Sequence, residues 1–164
     1  MRSRPAVFAF ILFTVSHACA QAPSPLDQLP LWAHASFSAF SKREAVEISN
    51  RLNPFVWRGD FDGDGRMDLA ILVKHSRTKK EGIAILRRKG AALLVGAGKD
   101  FGNGGDDFSW IDLWFVEDRG TLQRSHYEKP VRLSTDGLVV AKEGSASALI
   151  YLRNGKPKWQ QQGD

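Results

Sequence analysis

Within nine residues, Asp60-Phe61-Asp62-Gly63-Asp64-Gly65-Arg66-Met67-Asp68, the chain sets carboxylates at positions 1, 3, 5 and 9. Four acids this close repel one another. A pair about 4 Å apart costs on the order of 1 kcal/mol even in the dielectric of water. A cation at their centre turns the repulsion into attraction. Calcium is a hard ion that takes about six to eight oxygen ligands, and alternate residues of a tightly wound loop point side chains at one centre. Gly65, at position 6, permits the sharp backbone turn. Arg66, at position 7, offers its carbonyl oxygen while its side chain faces water. The expected ligands are therefore Asp60, Asp62, Asp64 and Asp68 with the Arg66 carbonyl, and the expected ion is Ca2+. Magnesium fits less well, because it retains its own waters and demands octahedral geometry. The plain alternative is an acidic Gly-rich turn without an ion.

An EF-hand is excluded. That loop needs a bidentate Glu at position 12 and a helix on each side, whereas position 12 here is Ile71, inside an apolar run. Trp57 and its neighbours lead into the loop and residues 69–74 lead out, so the expected context is strand, calcium loop, strand. The tripeptide Arg58-Gly59-Asp60 spells an integrin-recognition sequence, but Asp60 is committed to the metal.

The run Gly59-Asp60-Phe61-Asp62-Gly63-Asp64-Gly65-Arg66-Met67-Asp68-Leu69-Ala70-Ile71 resembles the calcium loop of FG-GAP/VCBS-type repeats, the units of integrin α-subunit propellers. The resemblance implies Asp60, Asp62, Asp64 and Asp68 as side-chain ligands and Arg66 as the carbonyl ligand. It spans about one repeat, and no further copy occurs, so a complete propeller from this chain alone is excluded. More loosely, residues 53–164 resemble single-domain periplasmic proteins with one such loop. Some of these are similar to inhibitors of lysozyme-like enzymes, including immunity proteins of bacterium-killing type IV secretion systems.

The N-terminus reads as a secretory leader. Arg2 and Arg4 precede an apolar run over residues 6–15, and Ala18-Cys19-Ala20 offers small residues for cleavage after Ala20. The run is too short to span a bilayer, which takes about 20 residues. The alternative is a lipoprotein acylated at Cys19, but Ser16-His17-Ala18 fits a lipobox poorly. Cleavage would leave residues 21–164 without a cysteine, hence without a disulfide, and with 21 basic against 18 acidic residues. That mild excess argues against nucleic acid as a partner. Lys79, Lys80, Arg87, Arg88 and Lys89 form a local basic patch that reads as a solvated hairpin.

Residues 21–30 read as a tether and residues 31–164 as one domain. A helix or helical turn is expected between Leu29 and Arg51. Ala45-Val46-Glu47-Ile48 alternates like a strand, yet Ser41 could equally cap a helix over residues 41–47. From Pro54 onward the chain reads as β: residues 55–57, 69–74, 83–86, 92–95, 111–116 and 138–141, then 148–152 and 156–161 around the Asn154-Gly155 hairpin turn. The fold class is mainly β: an antiparallel sheet, or a small barrel or propeller-fragment-like domain, with one short N-terminal helix.

Residues 96–107 hold five glycines and three aspartates, a long loop, and long loops in compact domains are often functional. Asp100, Asn103, Asp106 and Asp107 are candidates for a second cation or for a basic partner, with Trp110 and its aromatic neighbours as anchors. Ser145, Ser147 and Tyr151 are candidates for a short segment inserted into an enzyme cleft. No His-x-x-His pair suggests zinc, and there is no Gly-x-Ser-x-Gly elbow. The sequence thus points to an exported, non-enzymatic calcium-binding module. Its partner is an envelope or peptidoglycan-cleaving enzyme that it inhibits or, alternatively, a glycan or protein at the cell surface.

Overall fold

The computed structural model describes residues 24–125 and 127–163. The expected leader over residues 1–20, with Cys19, lies outside the described residues. The tether expectation changes at its C-terminal end. Pro25–Gln28 form a 3-10 turn capped by Ser24, and Leu26 and buried Leu29 pack into the core. These leucines give the segment enough apolar area to fold onto the body rather than hang from it.

The helix is α1, Leu31–Glu44. Ala33, Phe37 and Phe40 are its buried residues, at spacings of four and three that place them on one face. It ends where Ala45 turns left-handed (φ 53°) and donates its N–H to the Ser41 carbonyl. Ser41 is therefore in the last turn rather than an N-cap, and its hydroxyl donates to the Val46 carbonyl at 2.6 Å.

Eleven strands follow among the described residues, all paired antiparallel. The first sheet contains β1 (Val46–Ile48), β2 (Val56–Gly59), β3 (Asp68–His75), β4 (Glu81–Leu86) and β5 (Leu93–Gly96). β1 and β2 lie end to end along one edge of β3, while β4 and then β5 extend from the other. Leu69 to Val73 on β3 are all at most 1% exposed. Because successive side chains point to opposite faces, both faces of β3 are covered, which explains its uninterrupted apolar run.

The second sheet has the order β11-β10-β9-β6, built from β6 (Leu113–Glu117), β9 (Gly137–Ala141), β10 (Ser147–Arg153) and β11 (Lys156–Gly163). A two-stranded ribbon, β7 (Leu122–Gln123) with β8 (Val131–Arg132), completes the β structure. The sheets stay open and no closed barrel forms, so the antiparallel-sheet expectation holds and the barrel expectation does not.

One hydrophobic cluster draws from α1, both sheets and the turn at Leu29. A smaller cluster of Leu133, Val139 and Leu149 lies beside it. The sheets are tied where β2 meets β6. Trp57 Nε1 donates to the Trp114 carbonyl at 3.1 Å, and Trp114 Nε1 to the Pro54 carbonyl at 2.8 Å. Among the described residues no helix is long and apolar enough to cross a membrane.

Candidate metal centre

The acidic loop is the connection of the β2–β3 hairpin. Gly59 pairs with Asp68 and Arg58 with Leu69, so the last ladder rung closes directly beneath residues 60–67. This is the strand–loop–strand context the sequence implies. Gly63 and Gly65 both adopt φ +81°, a left-handed backbone that an L side chain resists.

The loop is held in shape by its own carboxylates. Asp60 Oδ1 accepts from Gly63 N at 2.9 Å and Oδ2 from Gly65 N at 3.1 Å. Asp62 Oδ1 accepts from Asp64 N at 3.2 Å, and Asp64 Oδ1 from Arg66 N at 2.9 Å. Phe61, 2% exposed, anchors the segment in the core.

Asp60, Asp62 and Asp68 converge: one carboxylate oxygen from each lies within 4.8 Å of the others. Asp64 stands on the exposed side of the loop, and the Arg66 side chain is exposed. Asp68 is wholly buried. Its Oδ1 accepts from Arg88 N at 2.7 Å, but its buried Oδ2 receives no hydrogen bond from the described residues. Burial pushes the Asp68 carboxyl up to about 6, with the charges of Asp62 and Asp64 adding to the effect and the backbone N–H groups of Arg88 and Asp62 partly offsetting it. A buried carboxylate oxygen without a donor is costly. A cation between the three acids would satisfy it, so the donor set fits a metal ion, and its all-oxygen chemistry is that of a hard cation.

A second layer, which the sequence did not reveal, holds the loop from the other sheet. Asp136, just before β9, accepts from Asp60 N at 2.7 Å through Oδ2 and from Arg119 N at 3.1 Å through Oδ1. Asp136 N donates in return to the Asp60 carbonyl at 3.0 Å. Arg119 Nη1 lies 3.5 Å from Asp60 Oδ2. In sequence, Asp136-Gly137 looks like an ordinary turn, and nothing local links it to a loop 76 residues away.

The long Gly-rich loop is wired to β4. The Glu81 carbonyl accepts from Ala97 N at 2.7 Å and Phe108 N at 2.9 Å. Asp107 Oδ1 accepts from Glu81 N at 2.9 Å and Ser109 N at 3.0 Å. Desolvation opposes the charge on Asp107, but these donors outweigh it and hold the carboxyl below its usual range. Asp106 pairs with Lys80. Trp110 packs edge-on against Phe108 and Trp159, and its Nε1 donates to the Gly104 carbonyl at 3.2 Å. Asp106, Asp107 and Trp110 thus have structural partners, whereas Asp100 and Asn103 are exposed. The loop does not gather three acids on one centre: among the described residues, Asp60, Asp62 and Asp68 are the group that does.

Ser145 lies exposed on the turn between β9 and β10, Ser147 opens β10, and Tyr151 follows on the same face of that strand beneath Arg153. His34 Nε2 sits 2.9 Å from the Leu29 carbonyl, and His75 Nδ1 accepts from Arg77 N and Thr78 N.

No protein-family model, no curated protein and no solved structure matches this chain.

Proposed function

We propose that this chain is an exported, non-enzymatic β domain that binds calcium in the β2–β3 loop and uses the fold so stabilised to bind a protein partner. One observation carries the reading: three convergent carboxylates, one of them wholly buried with an oxygen that no described residue serves. The spacing of the loop and its resemblance to FG-GAP/VCBS-type calcium loops favour calcium over magnesium. Asp60, Asp62 and Asp68 would supply side-chain oxygens, Asp64 a further carboxylate from the exposed side, and Arg66 its carbonyl. The ion supplies charge and cross-linking rather than chemistry. It fixes the β2–β3 connection and, through Asp60 and Asp136, the seam with the second sheet. The partner favoured by the looser resemblance is a lysozyme-like peptidoglycan hydrolase, for which this chain would be an inhibitor or immunity protein.

A ligand that binds only the folded state stabilises it by about 2.7 kcal/mol at a free concentration a hundredfold above Kd, several degrees for a domain of this size. Calcium should therefore raise the melting temperature and EDTA lower it, and the Asp62→Ala/Asp64→Ala variant should lose the difference. A melt that ignores both additives defeats the metal centre. Inhibition of lysozyme-type hydrolysis, measured with and without calcium, tests the partner separately.

A second reading, a surface module that binds glycan, is favoured by a cleft of about 310 Å³ lined by Trp110, Trp159, Asn103 and Gln161. Partly exposed indoles beside the exposed Asn103 suit a sugar ring. Binding of soluble peptidoglycan fragments without hydrolase inhibition would select it.

A further inference from the structure

Beside the acidic loop lies a second feature of opposite sign. A groove of about 590 Å³ is lined by Arg58 on β2, Arg66 and Met67 from the loop, Leu69 on β3, Arg88 beyond β4, and Trp32 at the start of α1. The register explains why these meet. Arg58 pairs with Leu69, Leu69 pairs with Leu86, and Arg88 N is fixed to Asp68. Two arginines of the β2–β3 hairpin and one from beyond β4 thus line the same groove.

None of the three forms an ion pair with a carboxylate of the described residues. The charged contact made here is Arg88 stacked over Trp32, its Cζ 4.7 Å from the ring centroid. That stacking orders the guanidinium and leaves its edge free to donate. The lining carries no acidic residue. Of the apolar lining, Met67 is 55% exposed. Elsewhere in the fold some basic side chains are neutralised by a carboxylate, as Lys79 is by Glu47 and Lys99 by Glu44. Arginines without carboxylate partners beside a half-buried Trp and an exposed Met are the composition of a protein-binding hot spot.

We infer that this groove is the docking site for an acidic segment of a protein partner, one that presents carboxylates beside a large apolar side chain. The arginine forks would take the carboxylates, in the paired geometry that guanidinium favours. Trp32 and Met67 would take the apolar side chain. The inference rests on the proposed role as a protein-binding module and gives that role a surface and a ligand chemistry. It also moves the interface away from residues 100–110, several of whose polar side chains are already paired within the fold.

The test is fluorescence anisotropy with a fluorescein-labelled peptide, Asp-Glu-Leu-Phe-Glu-Asp, titrated with the full chain in calcium-containing buffer. The peptide should bind, with affinity falling as salt rises. The double variant Arg58→Ala/Arg88→Ala should weaken binding at least tenfold, while Lys158→Ala, on the outer strand of the second sheet, should leave it unchanged. A peptide with lysine for each acid should not bind. Because Arg58, Arg66 and Arg88 are exposed, the variants keep the fold, and the calcium-dependent melt verifies this independently. Equal affinity for the wild type and the double variant overturns the groove. So does binding to phosphatidylglycerol vesicles with none to the peptide, which would mark a membrane-facing surface. Either result with the calcium shift in melting intact leaves the metal centre standing.

Discussion

Asp68 separates stability from binding more cleanly than any other residue. Its carboxylate is buried and one oxygen has no donor, so at neutral pH its charge burdens the metal-free fold. An amide of the same shape keeps an oxygen for Arg88 N and removes the charge. Asp68→Asn should therefore melt no lower than the wild type in EDTA, and up to a few degrees higher, while the stabilisation by calcium is lost. Differential scanning calorimetry in both buffers measures the two quantities together. A calcium shift that survives this substitution would remove Asp68 from the ligand set. Asp60 makes the opposite case. Its oxygens already accept from Gly63 N and Gly65 N, so its loss would damage the empty loop as well as the site.

At the scale of the element, the β2–β3 loop depends on two glycines for different reasons. Both sit at φ +81°, but a Cβ on Gly63 would come within 2.9 Å of Thr135 Cγ2, whereas one on Gly65 meets nothing within 4 Å. Gly65→Ala carries backbone strain alone, about 1 kcal/mol. Gly63→Ala adds a clash with the segment that carries Asp136, so its urea midpoint should fall further than that of Gly65→Ala. Equal midpoints would mean that the contact with the second sheet yields freely. The same loop shows what was legible in sequence. The spacing of Asp60, Asp62, Asp64 and Asp68 is local information, as are the apolar run of β3 and the Asn154-Gly155 turn of the last hairpin, and the hairpin loop, the buried strand and the final turn stand where these features lie. β7 and β8 are two residues long and carry no period to detect. The clamp at Asp136 and the convergence of Arg58 with Arg88 arise from pairing between distant strands, and no window along the chain contains them. Leu29 is hidden for a related reason: one leucine beside prolines looks like a linker until its partners in the core are known.

For the whole molecule, the question is whether a metal at one hairpin stabilises everything or only that hairpin. A single apolar cluster takes side chains from α1 and from both sheets, and small domains with one shared core unfold in one step. Two polar ties reinforce the seam: the crossed indole bonds of Trp57 and Trp114, and the Asp60–Asp136 exchange. The ion should therefore shift one transition, seen at the same midpoint by far-UV and near-UV circular dichroism. Trp114→Phe probes the seam directly. Trp114 is 3% exposed, and the substitution removes the N–H that serves the Pro54 carbonyl as well as part of the buried ring. The combined loss is about 2 kcal/mol, and the urea midpoint should fall with the slope unchanged. If the second sheet melted on its own, Trp114→Phe would split the transition in two, and calcium would move only the part that contains β2 and β3. One transition that moves as a unit in both the wild type and the variant would show that the loop acts on the whole fold.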